Sequence, residues 1–419
     1  MNAAAPSLTP ARDLLILAPC LPRPDGSAQS LRWFHMLRFL ARHFRVHLGC
    51  VADPAREGSQ FSRVRALCYE TCFVAPPGIR QRVRGSGAQV DPVLAAWAAR
   101  LCARQPVAAV LAASARMGPY LEALPAGPVR VVDFVELESD QRRRHGASRR
   151  WPTTVLWRRQ ARQLLARERA AGSACDHALF ATAADVARFR LFAPESAHKA
   201  RHLPSGVDPD YYSPHILHRS PYRPGVRALV FAGAMDERVN MEAAQWFVHE
   251  VFAPLRAADP ALVFYLVGPR PDARVRALAR VPGVVVTGSV ADARPWLAHA
   301  ALVLAPPGSS HVGALQVLAA MSLQKAVLAA PRTLAGLACH KQPEAFAAAD
   351  AADFRARIAA LLACAGGASA GPGQDGIDDP VSVGRAARAR VLREHDWQLR
   401  LAGLTALLGG VPAPVASVG

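Results

Sequence analysis

A chain of 419 residues that is 51% hydrophobic and 20% charged has room for two or three domains and is too apolar to be disordered throughout. No run of about 18 apolar residues is present to span a bilayer, and residues 1–12 lack the basic start and apolar core of an export signal, so the expected setting is the cytoplasm. The formal net charge of +18 favours phosphate-bearing substrates or an anionic membrane surface. Only Lys199, Lys325 and Lys341 are lysine, and the other 47 of the 50 basic residues are arginine, a usage that fits a GC-rich genome as well as a basic function. With no aromatic-interleaved RNA signature and no paired-cysteine finger, nucleic acid is not an expected partner. The eight cysteines are scattered without CxxC spacing, which predicts reduced, mostly buried thiols and no metal site.

In chain order, 13–19 reads as a strand and 20–30 as a loop. Segment 31–41 reads as a helix with its stripe at Trp33, Met36, Leu37 and Leu40, and 45–51 as an alternating second strand. The loop lies where a substrate would approach the helix N-terminus, but it is not a GxGxxG fingerprint. Short strands are expected at 73–75 and 108–111, and a stronger one at 129–135. Around its end stand Asp133, Glu136, Glu138 and Asp140, four carboxylates in eight residues. They suit a general base or a metal site, and equally a helix start with solvated charge. Next come a basic loop at 142–150 and an amphipathic helix at 151–171. Its arginines suit anionic lipid or an ordinary solvated face. A strand at 178–182 and a helix at 184–192 complete this half.

Segment 203–225 is rich in turn residues and reads as a linker, which predicts domains at 12–205 and 226–363 joined by 206–225. In the second domain the runs 228–233, 262–268 and 284–288 each end on glycine, and 301–305 leads into the turn 305–313. Continuous apolar runs alternating with helices predict doubly wound parallel sheets. Gly233, Gly268, Gly288 and Gly308 would then rim a pocket at the carboxyl ends of the strands. Asn240 is expected to cap a helix at 241–258. A helix at 314–323 would offer its N-terminal N–H groups to a diphosphate. A low-complexity break at 364–380, a last helix at 381–408 and a loose tail follow.

The segments Pro204-Ser205-Gly206-Val207-Asp208 and Tyr212-Ser213-Pro214 resemble the inter-domain signature of family 4 glycosyltransferases of the GT-B fold. Segment 231–236 with Asn240, the early Arg32, Phe34 and His35, Asp133 to Glu136, Arg385 to Arg388 and Asp396-Trp397 resemble, more narrowly, the glycosyltransferases associated with exosortase (PEP-CTERM) exopolysaccharide loci. The resemblance implies two Rossmann-like domains facing a cleft and a nucleotide-sugar donor held mainly by the C-terminal domain. It also implies no obligatory metal or other cofactor, and transfer to a glycan or lipid-linked acceptor in surface polysaccharide assembly. By the same resemblance Gly233, Asn240, Arg270, His311 and Gln316 belong to the donor site, and His35 or Asp133 acts as base or orients the acceptor. The chain departs from the pattern where it matters for donor binding. His311 and Ala319 stand where the narrower family has arginine and glutamate, Gln316 stands for lysine, and Ala28-Gln29-Ser30 stands for glycine, aspartate and lysine. Two functions are therefore expected: a glycosyltransferase with a divergent donor site, or a non-catalytic relative that binds a glycan or an assembly partner.

Overall fold

The computed structural model describes residues 12–24, 27–53, 58–76, 90–147, 153–307, 311–337, 344–365 and 379–409. They form two compact units: one runs up to Pro204 and takes up the chain again from Arg400, and the other is Ser205–Leu399. No described helix is long and apolar enough to cross a membrane.

The first unit is built on seven strands: β1 (Asp13–Ala18), β2 (Arg45–Val51), β3 (Glu70–Val74), β4 (Val107–Ala113), β5 (Val129–Val135), β6 (His177–Phe180) and β7 (Ala200–His202). They lie in the order β3-β2-β1-β4-β5-β6-β7, and every pair is parallel. The described helices include α1 (Ala28–Leu40), α2 (Pro92–Arg104), α3 (Glu138–Ala147), α4 (Thr153–Ala174) and α5 (Ala183–Phe192). Every residue of β1 is buried, as expected for a strand covered on both faces. The alternation expected of β2 is not a solvent face: Val46 to Cys50 are all buried. The polar His47 is accommodated because its Nε2 lies 2.8 Å from the Asp13 carboxylate. The core gathers Leu15, Leu17, Val110 and the aromatic trio Phe134, Phe180 and Phe189, with Phe134 stacked on Phe180 at 5.0 Å.

Helix α2 starts at Asp91-Pro92, where the aspartate accepts from the N–H groups of Val93 and Leu94 and proline takes the first turn. The basic loop expected at 142–150 is helical as far as Ala147, because α3 begins with Glu138 and Asp140 and then pairs Asp140 with Arg143 at 2.7 Å. The rest of that loop lies outside the described residues.

The second unit repeats the plan with six parallel strands: β8 (Arg227–Ala232), β9 (Leu262–Val267), β10 (Val284–Gly288), β11 (Leu302–Ala305), β12 (Val327–Ala329) and β13 (Phe346–Ala347), in the order β10-β9-β8-β11-β12-β13. Its helices include α6 (Arg238–Trp246), α7 (His311–Ser322), α8 (Ala351–Ala365), α9 (Pro380–Arg390) and α10 (Trp397–Leu407), the last of which crosses the boundary at Arg400. In each sheet the strand order reverses beside the first strand of the unit, between β1 and β4 and between β8 and β11. Such a switch point is where open α/β sheets bind ligands, outside the carboxyl ends of the strands.

Two long helices expected from the pattern are broken. The helix of 241–258 begins earlier, at Arg238, widens to a π-helical stretch at Phe247–Phe252 and resumes at Ala253–Ala258. Pro254, which has no N–H to give, sits just past the widening. The last helix is divided by a π-helical stretch at Val391–His395 and by the extended Asp396. Asp396 forms a parallel bridge with Val207, whose N–H reaches His395 O at 2.8 Å. Gly206 permits this, since a Cβ there would lie 2.7 Å from His395 O. The linker is thus tied into the second unit. Arg388 adds to this by donating to Ser322 O at 2.6 Å and Tyr212 O at 3.3 Å. The break at 366–378 and the tail from 410 lie outside the described residues. Of the described cysteines only Cys50 and Cys175 are buried; the others are half-buried, fewer than the composition suggested.

Candidate functional site

The carboxyl edge of the second sheet is assembled from backbone. Gly233 N–H donates to Val267 O at 2.9 Å, Met235 N–H to Pro269 O at 3.1 Å and Asp272 N–H to Met235 O at 3.3 Å, so the loops after β8 and β9 are laced together. Gly268 makes this possible: a Cβ there would fall 1.6 Å from Gly233 O, where no side chain fits. Asn240, expected as a helix cap, is instead the third residue of α6 and is buried. Its Nδ2 reaches back to Ala234 O at 3.1 Å and fixes the loop after β8, while its Oδ1 is a buried acceptor with no hydrogen-bond partner among the described residues. Arg270 takes the left-handed conformation at φ 48° and pairs through Nε with Asp236 at 2.6 Å. That bond and the charge of Asp236 raise the guanidinium pKa further, and both side chains remain exposed. Asp236 is the partner that the sequence reading missed; its signal was an acid directly after the glycine turn.

Across the switch point, β11 leads to α7, whose backbone is helical from His311, three residues before the expected start. Gly308 and the side chain of His311 lie outside the described residues. Gln316 is half-buried. Ala319 is 2% exposed and packs with Val317, Leu318 and Met321 in the core. A carboxylate at 319 would have to enter that packed cluster.

The carboxyl edge of the first sheet is assembled from side chains. Arg32 and Asp133, 101 residues apart, are both fully buried. Arg32 Nε donates to Asp133 Oδ2 at 2.9 Å, Arg32 Nη2 to Oδ1 at 2.9 Å, and Trp33 Nε1 to Oδ2 at 3.0 Å. The reading of Asp133 as a base does not suit this geometry, because a fully covered carboxylate already accepting three N–H groups has no face for a substrate proton. His35 is half-buried on α1, three residues past Arg32, with its ring edge-on to Phe34 at 5.7 Å. The four acids around the end of β5 do not converge: Glu138 pairs with Arg116 at 3.1 Å and Asp140 with Arg143 at 2.7 Å. Among the described residues no three of His, Cys, Asp and Glu are placed to hold a metal ion.

Residues 226–364 match the family described as Glycosyl transferases group 1. No curated protein matches the chain by sequence. Several solved structures are similar to it over nearly their whole length. Sucrose-phosphate synthase from Thermosynechococcus elongatus is 14% identical, with a TM-score of 0.67 over 94% of this chain and 98% of that one. WaaG, a glycosyltransferase involved in lipopolysaccharide biosynthesis, is also 14% identical, with a TM-score of 0.65 over 95% and 100%. Anabaena HepE, solved in complex with UDP and glucose, is 13% identical, with a TM-score of 0.62 over 95% and 99%. At such identities the likeness is one of fold, and the fold is GT-B, with two Rossmann-like parallel-sheet domains.

Proposed function

We propose that this chain is a glycosyltransferase that moves a sugar from a nucleotide-sugar donor to a glycan or lipid-linked acceptor in the assembly of a bacterial surface polysaccharide, with a donor site altered from the family 4 pattern. The observation that carries the reading is the group 1 match over 226–364. It falls on the unit whose switch point is bordered by Gly233 and the start of α7. In this reading the diphosphate approaches the loop after β8, which Gly233 and Asn240 hold in place. The N–H groups and dipole of α7 take up charge as the diphosphate leaves. Arg270 adds a cation, and His311 and Gln316 line the donor. The first unit, proposed as residues 12–205, receives the acceptor, with His35 orienting it.

The UDP and glucose bound by HepE and the lipopolysaccharide pathway of WaaG favour a nucleotide-sugar donor and a surface-glycan product. The narrower exosortase-associated assignment rests on 231–236 with Asn240 and on 133–136. Work at the cytoplasmic face of a membrane is favoured by α4, where Arg158, Arg159 and Arg162 are exposed and have no ion-pair partner among the described residues.

The test is thermal stability against UDP-, GDP-, ADP- and CMP-linked sugars, followed by a transfer assay with the donor that shifts the melting point most. A ligand at about 100 times its dissociation constant adds about 2.7 kcal/mol, a shift of several degrees. No shift with any donor and no transfer sinks the proposal. A second reading, a relative that binds without transferring, is favoured by Ala319 in the core and by Gln316 in place of a lysine. If it is right, Gln316→Lys raises nucleotide affinity from a low base. Micromolar affinity in the unaltered protein counts against it.

A further inference from the structure

The buried pair at the end of β5 does more than close the core. Asp133 is clamped by three N–H groups from α1, so the end of β5 and the first turns of α1 form one rigid piece. On its other flank Asp133 O accepts from Ser114 N–H at 2.9 Å, at the end of β4. Directly beyond this anchored residue the backbone is forced into rare conformations. Val135, a β-branched residue, has φ 65°, and Glu136 N–H returns to Phe134 O at 2.8 Å. A bond closing over three residues about a positive φ makes a γ-turn of the rare, strained kind. Ser114, directly after the adjacent strand β4, has φ 93°. The pairing of β5 with β6 shifts register at the same place. Strain of this sort persists only where the surroundings over-determine it, and the clamp on Asp133 supplies that determination.

The result of the turn is that Glu136 leaves the strand at the carboxyl edge of the sheet. It is half-buried, with its carboxylate 3.5 Å from Gln141 Nε2, whereas Asp133 has no exposed surface. Of the two carboxylates only Glu136 reaches the edge. We propose that Arg32 and Asp133 are positioning residues, and that Glu136 is the carboxylate that accepts a hydrogen bond from a hydroxyl of the acceptor. The inference deepens the glycosyltransferase reading and rests on it for the acceptor class.

The experiment measures binding of a short-chain polyprenyl diphosphate-linked sugar without donor, binding of the best nucleotide sugar without acceptor, and melting temperature. It uses the full chain and the variants Glu136→Gln, Arg32→Lys and Asp133→Asn. Glu136→Gln is expected to weaken acceptor binding by about tenfold or more, the loss of one hydrogen bond to a charged group, with donor affinity and melting temperature unchanged. Arg32→Lys keeps the charge but loses the fork. It is expected to weaken acceptor binding severalfold even though Arg32 is fully buried, again at unchanged donor affinity.

If Arg32→Lys lowers the melting temperature but leaves acceptor affinity intact, the pair is structural and the positioning role is wrong. If Glu136→Gln binds acceptor as the unaltered protein does while Asp133→Asn does not, the assignment of the two carboxylates is reversed. Unaltered protein that binds the nucleotide sugar and not the acceptor overturns the inference and leaves the donor half of the proposed function standing. Protein that binds neither overturns both.

Discussion

The two sheets share a strand order, yet their carboxyl edges are made of different materials. In the first unit the edge is held by charge: a guanidinium, an indole N–H and a carboxylate, all buried, lock α1 to β5. In the second it is held by backbone: Gly233 and Gly268 let two loops approach until their peptides bond, and the charges, Arg270 and Asp236, stand outside in solvent. A covered ion pair fixes side chains in one arrangement and leaves no polar group idle. A glycine-lined edge joins its loops through their own peptide groups and keeps its charges outside, in solvent. The first edge is therefore fixed by side chains with their charge covered, and the second by backbone with its charge exposed.

The largest effect is expected where the first edge is robbed of one partner. Asp133→Leu leaves the buried Arg32 charge uncompensated and should cost about 3–5 kcal/mol. Arg32→Met combined with Asp133→Leu should recover part of that loss, because an apolar pair avoids the desolvation cost of both ions while Trp33 Nε1 stays without its acceptor. Denaturant titration of the four proteins of this cycle measures the coupling. A double variant as unstable as Asp133→Leu would show that the edge depends on more than the ion pair.

The matching change in the second edge is Gly268→Ala. With the added Cβ placed 1.6 Å from Gly233 O, the two loops must separate. Overpacking of this kind costs about 3 kcal/mol, and the N–H of Gly233 loses its partner besides. Arginine and aspartate at the first edge are expected to tolerate paired replacement in part, whereas this glycine is expected to tolerate none. A Gly268→Ala protein with unaltered melting temperature would mean that the loops are not laced in solution.

How much of this was legible follows from the physics of each element. The runs of β1, β8 and β9 could be read directly, since strands buried on both faces leave an unbroken apolar signature; β10 has the same signature although only its Val284 is buried. The glycines Gly233, Gly268 and Gly288 at the ends of β8, β9 and β10 were legible with them. Strands of three and two residues, β7 and β13, carry too few side chains to register. Helix breaks at Phe247–Phe252 and Val391–His395 were hidden because apolar periodicity continues through a π-helical widening. The role of Asp133 was misread for a different reason: its partner is 101 residues away, and spacing along a chain says nothing of such pairs. A hint was present in Arg32, a charge directly beside the apolar stripe of α1.

A smaller effect tests whether charge elsewhere in the first unit is equally well matched. Glu168 on α4 is 2% exposed and accepts from Ser139 N–H at 3.0 Å, at the start of α3. Burial, opposed by the Ser139 hydrogen bonds and reinforced by Glu138, pushes its pKa up from 4.5 to about 7. Its folded pKa is thus above its unfolded value, so the folded chain keeps a proton that the unfolded chain releases. The stabilisation is complete below about pH 4.5 and is lost as pH rises to about 7. Glu168→Gln removes the titration. It should gain roughly 2–3 kcal/mol over the unaltered protein at pH 8 and lose that advantage at pH 4.5. Parallel pH profiles for the two proteins would show that Glu168 carries no such linkage.

The smallest change in stability, and the sharpest in ligand binding, is expected at Arg270. Its pair with Asp236 is solvent-exposed, and such pairs contribute about 0–1 kcal/mol. Arg270→Ala should therefore leave the melting temperature nearly unmoved. If the second edge admits a diphosphate, the same substitution removes a charge-assisted contact and should weaken nucleotide-sugar binding about tenfold. Asp236 then acts against the ligand twice, by occupying Arg270 and by repelling the phosphates. Asp236→Asn should raise affinity severalfold, and by less when Arg270 is absent, where only the repulsion is relieved. Isothermal titration of both single variants and the double variant separates these effects. Equal affinities in all four proteins would place the diphosphate away from Arg270 and leave the N–H groups at the start of α7 to carry it.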